Sequence, residues 1–93
     1  MSQDDCRSPV PDRVLDCRGL ACPLPVLRAR KALAGLAAGK TLLVEATDPM
    51  AAIDLPHLAR QDGHVLLHQE RDGPAERPVL RFLIRRGSGA GPA

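Results

Sequence analysis

The chain has 93 residues, a net charge of +2 at neutral pH, no Trp or Tyr, and a single aromatic residue, Phe82. That length supports one small domain burying about 60–68% of its unfolded surface, with a core that must be built from Leu, Val, Ile and Ala. The charge is too small to announce a nucleic-acid binder, no apolar run reaches the ~18 residues of a membrane-spanning helix, and three cysteines, an odd count, argue against a disulfide framework.

Residues 1–12, MSQDDCRSPVPD, are polar and lack the apolar stretch of a signal peptide. They read as a disordered arm, with Cys6 incidental, and the tail GSGAGPA at 87–93 reads the same way. Between them, 13–86 form one domain, expected in the cytoplasm with its thiols reduced. RVLDC at 13–17 is a short strand ending at the turn signal Arg18-Gly19. From Pro23 to Ala38 the pattern is helical: Val26, Ala29, Leu33, Leu36 and Ala37 share one face, Arg28 and Lys31 the other, and Gly39 is placed to stop the helix. TLLVEA at 41–46 is apolar enough for a central strand.

In TDPMAAIDLPHLARQDG, Asp48 reads as a cap with Pro49 at the first helical position, and Asp54 with Pro56 repeats that logic, so two joined helical pieces are expected before Gly63. HVLLHQE at 64–70 and RPVLRFLIRR at 77–86 read as strands joined by a hairpin loop carrying Asp72-Gly73. Arg85 and Arg86 read as solvated charges at a sheet edge. The order βαβαββ predicts an α+β two-layer sandwich, a mixed four-stranded sheet with two helices on one face.

Cys22 falls at the helix N-cap, with Pro23 at the first helical position and Pro25 stiffening the same turn. Unbonded N–H groups and the helix dipole there stabilise a thiolate, so a lowered thiol pKa and rapid alkylation are expected. The two prolines remove N–H donors and temper that field. The competing reading is a buried, inert cysteine beside an ordinary proline-started helix.

The stretch LDCRGLACPLPVLRARKAL, with its Gly-Leu pair and Cys-Pro-x-Pro, resembles the signature of the TusA-like (SirA-like) sulfur carrier family. Further matches lie in LLVEATDPMAAIDLPHLARQDGH and RFLIRRG, so the resemblance spans about residues 13–87. It implies a βαβαββ sandwich in which Cys22 receives sulfane sulfur as a persulfide and passes it on. It also implies a sulfur donor such as a cysteine desulfurase or a rhodanese, a downstream acceptor, and tRNA thiolation or a related sulfur-transfer pathway as the destination. The chain would then be a co-substrate of sulfurtransferases rather than an enzyme. Asp16, Gly19, Pro23 and Pro25 would support the site, and Leu24 and Leu27, rimmed by Arg28 and Lys31, would form a docking patch. Packing of both leucines under the 17–21 loop is the alternative.

Cys17 stands where the family usually has a small residue; it reads as a small apolar residue at a strand end, or as a resolving thiol. Asp16 reads as an anchor for the Cys22 loop through backbone N–H groups. His64 and His68 are placed on one strand face about 13 Å apart, at ~3.3 Å per residue, too far to share a metal. No cofactor or metal is expected, nor a membrane or direct nucleic-acid contact, and a monomer is expected. Two rival functions stay open: a thiol redox protein using Cys17 and Cys22, and an RNA- or protein-binding regulatory module, since fold does not fix function.

Overall fold

The computed structural model describes residues 11–87; Cys6, the expected arm as far as residue 10 and the expected tail beyond Gly87 lie outside the described residues. The elements are β1 (Arg13–Cys17), α1 (Leu24–Ala34), β2 (Thr41–Ala46), α2 (Ala51–Gln61), β3 (Val65–Asp72) and β4 (Val79–Arg85). They form the βαβαββ sandwich, with sheet order β1-β2-β4-β3. β1 runs parallel to β2, and β4 is antiparallel to both β2 and β3. Asp12 joins the sheet margin: its N–H donates to the Thr41 carbonyl at 3.1 Å, and its carboxylate accepts the Thr41 N–H at 2.8 Å.

Period-two patterning decides which face of the sheet the helices cover. Leu42, Val44 and Ala46 of β2 and Leu80, Phe82 and Ile84 of β4 are buried. They meet Ala29, Ala32 and Leu33 of α1 and Leu55, Leu58 and Ala59 of α2. The alternate positions make up the open face. There Glu45 lies across from Arg81, whose Nε donates to it at 2.9 Å while Nη1 donates to Asp72 at 2.9 Å. This polar row suits a face left to water.

Several local expectations are corrected. α1 ends at Ala34, five residues before Gly39, where the Gly35 N–H bonds back to the Ala32 carbonyl; Ala37 is exposed as a result. Gly39 instead takes a left-handed turn, φ 87°, into β2. α2 is one helix, not two pieces, and runs through Pro56. Pro56 has no N–H for the Ala52 carbonyl, but Leu55, Leu58 and Ala59, buried on both sides of it, hold one helical axis against the sheet.

β4 is an inner strand, so Arg86 is not a solvated edge charge. It is half-buried, and its Nε donates to the Leu33 carbonyl at 2.8 Å, placing a cation at the C-terminal turn of α1. Arg85 is exposed. A register shift between Leu66 and His68 breaks the alternation of β3, so His64 and His68 do not share a face. His64 is half-buried and its Nδ1 accepts the Gly87 N–H at 3.0 Å, while exposed His68 contacts Glu70. Arg86→Ala, which removes the bond to Leu33 and the packing of the aliphatic stem, is expected to cost about 1–2 kcal/mol. A lower urea midpoint at unchanged slope would report it.

Candidate functional site

β1 and β2 are parallel neighbours, with Cys17 paired to Ala46, so the loops that follow them leave the same end of the sheet. Function gathers at such ends in open α/β sheets. The first loop turns at once: the Leu20 N–H donates to the Cys17 carbonyl at 3.1 Å, and Gly19 between them has φ 83°. A positive φ at the third residue of a turn favours glycine. The second loop then binds the first. Thr47 Oγ1 accepts the Gly19 N–H at 2.8 Å, and Asp48 Oδ2 accepts the Cys22 N–H. Asp48 Oδ1 accepts the Met50 N–H at 3.0 Å, so one carboxylate both braces the turn that leads into α2 and holds Cys22.

Cys22 is exposed, one residue further from α1 than the sequence suggested. Pro23 is the N-cap, Leu24 the first helical residue, and Pro25 the second and buried. The Cys22–Pro23 peptide is cis. The N-cap makes no side-chain bond, and the Leu24 N–H is already donated to the Ala21 carbonyl at 2.9 Å. Of the first three helix-start positions, two are prolines and the third is spent. The donor field expected to lower the thiol pKa is therefore depleted.

Acidic side chains take its place. The Cys22 thiol donates to Asp54 Oδ2 at 3.5 Å. Partial desolvation, then this hydrogen bond and the charges of Asp54 and Asp48, push the thiol above its ordinary value. The expected lowering is thus reversed in sign, because desolvation and then the two carboxylates act against a helix terminus with few free N–H groups.

Asp16 anchors the loop through a backbone N–H as expected, at Arg18 rather than at Cys22 itself. Its carboxylate accepts the Arg18 N–H at 3.0 Å and the Arg18 guanidinium at 2.8 Å and 3.0 Å, which hold its pKa down to about 2. It fixes the start of the turn, while the Cys22 N–H goes to Asp48. Cys17 is fully buried in the core, and burial pushes its thiol up. Leu24 and Leu27 are 43% and 52% exposed, with Arg28 and Lys31 exposed on the same helix. Sequence reasoning missed Thr47 as the Gly19 anchor. It read Asp48 and Asp54 only as caps, and passed over Met50 and Ile53, 44% and 64% exposed at the start of α2. The Asp-Pro block carried the only signal for them.

The family model described as "Sulfurtransferase TusA" matches residues 13–86. The chain belongs to the TusA family. It is 43% identical over 76 residues to a putative sulfur carrier protein, YrkI, of Bacillus subtilis, covering 82% of this chain and 96% of that protein. It is 44% identical over 75 residues to the sulfur carrier protein TusA of Allochromatium vinosum, covering 81% and 93%. Among solved structures, a SirA-like protein from Desulfitobacterium hafniense superposes with a TM-score of 0.64 at 30% identity, over 81% of this chain and 97% of that one. The family match includes the whole of the Cys22 loop and the Asp48–Asp54 segment that holds it.

Exposure separates the two described cysteines. A brief iodoacetamide pulse on the native protein is expected to modify Cys22 and spare Cys17, with Cys17 labelled only once denaturant is added. Peptide mapping reads the result; equal native labelling would mean that the end of β1 opens readily.

Proposed function

We propose that this protein is a sulfur carrier that accepts sulfane sulfur as a persulfide on Cys22 and relays it to an acceptor. The observation that carries the reading is an exposed thiol on a braced loop at the start of α1, in a member of the TusA family. Persulfide transfer is attack by one sulfur on another, and needs a nucleophilic sulfur that a partner's active site can reach. An exposed thiol on a braced loop meets that need. The chain acts as co-substrate, and catalysis comes from the donor and acceptor proteins.

The relatives' names support the carrier role, and the donor class is a cysteine desulfurase or a rhodanese. tRNA thiolation or a related sulfur-transfer pathway is the proposed destination, in the cytoplasm. No helix among the described residues is long and apolar enough to cross a membrane. Leu24 and Leu27, with Arg28 and Lys31 at their rim, form the proposed docking patch, and Met50 and Ile53 are further exposed apolar side chains at the start of α2. The dithiol alternative requires Cys17 to leave the core.

Proteolytic mapping of protein loaded by a cysteine desulfurase tests the assignment. One extra sulfur is expected on the peptide containing Cys22, and sulfur found only on the Cys17 or Cys6 peptide would overturn it.

A further inference from the structure

Both hydrogen-bond donors of Cys22 are held by carboxylates from the neighbouring segment. Asp48, in the loop before α2, takes its N–H, and Asp54, in the first turn of α2, takes its thiol at 3.5 Å. Among the described residues neither carboxylate makes an ion pair. The charges that bear on the thiol are those of Asp54 and Asp48, whereas Arg28 of α1 bears on Cys17 instead. A thiol beside a helix start short of N–H donors has been given negative neighbours.

Resting on the sulfur-carrier reading, we propose that Asp54 is a positioning residue that guards Cys22. Its carboxylate keeps the sulfur a reluctant thiolate, so the free carrier stays quiet toward bystander electrophiles when empty and toward bystander thiols when loaded. The chemistry of discharge shows why one charge serves both states. A bystander thiolate attacks the terminal sulfur of the Cys22 persulfide and forms a new S–S bond to it. The bond between that sulfur and the Cys22 sulfur breaks, its electron pair stays on Cys22, and a proton from water restores the thiol. The bystander departs as a persulfide, with no net oxidation or reduction. Thiols of lower pKa leave faster. A carboxylate against the Cys22 sulfur opposes the charge that builds there, and the same opposition keeps the empty thiol protonated.

The inference is tested on Asp54→Asn, which removes the charge and keeps the shape, with Asp54→Glu as the charge-preserving rescue. Two rates are read: alkylation of Cys22 by iodoacetamide across pH, and loss of loaded sulfur to reduced glutathione, followed by intact mass. In Asp54→Asn the alkylation midpoint is expected to move to lower pH, and both rates at pH 7 to rise at least about threefold. Asp54→Glu is expected to restore the wild-type midpoint, which a merely structural role would not require. A wild-type midpoint and discharge rate in Asp54→Asn would overturn the proposal.

Should Asp54→Asn fold poorly, the wild-type protein still decides. Its Cys22 midpoint is expected above that of the free peptide GLACPLP, and a midpoint at or below the peptide's would overturn the proposal. Failure of the wild type to take up sulfur would instead sink the carrier reading, and the alkylation comparison would still report on Asp54.

Discussion

Cys22→Ser is expected to abolish sulfur uptake entirely while leaving the fold intact. Acceptance of a sulfane sulfur needs a sulfur nucleophile, and a hydroxyl cannot form the S–S bond. The residue is exposed, and its backbone N–H is bound to Asp48 whatever the side chain. A serine hydroxyl can donate to Asp54 as the thiol does. The melting temperature is therefore expected within about 4 °C of wild type. Cys17→Ala is the opposite case. It should still take up one sulfur, because Cys17 lies in the core, but lose about 1 kcal/mol of stability through the cavity it leaves. Retention of uptake by Cys22→Ser, or its loss in Cys17→Ala, would transfer the role to another thiol.

Phe82→Ala is expected to be the most destabilising single truncation. Phe82 is the only aromatic residue of the chain, is fully buried, and sits on inner strand β4 facing Val44 of β2. Removing a buried phenyl ring costs about 3–5 kcal/mol, against a total of about 5–15 kcal/mol for a domain of this kind. The neighbouring Leu83 points to the open face and is half-exposed, opposite Leu43. Leu83→Ala should cost only about 1 kcal/mol, mostly the transfer of one part-exposed side chain. Urea midpoints of the two variants check the contrast, and similar losses would mean that both sheet faces carry the core.

The architecture was legible because the patterning is strong and consistent. Leu42, Val44 and Ala46 alternate cleanly, and the 22–33 segment carries its apolar residues at helical spacing. What the sequence concealed were interactions between distant segments. Nothing local to Arg86 says that its guanidinium reaches Leu33, fifty-three residues earlier. The break in β3 at Leu67 depends on how that strand pairs with β4, and so misled the placement of His64 and His68.

At the site, the exposure of Cys22 and its place beside the start of α1 could be read from Gly19, Pro23 and Pro25 to within one residue, but its electrostatics could not. The helix-end argument considered only the chain on either side of the cysteine. The deciding charges, Asp48 and Asp54, come from twenty-six and thirty-two residues away, and each has an obvious local reading as a helix cap.

The most direct test of the account is the intact mass of the wild-type protein after incubation with a cysteine desulfurase and cysteine. The carrier reading predicts a gain of one sulfur atom per chain, removed by a reducing agent through exchange. An unchanged mass, with the desulfurase shown to be turning over and Cys22 shown to be free, would contradict it.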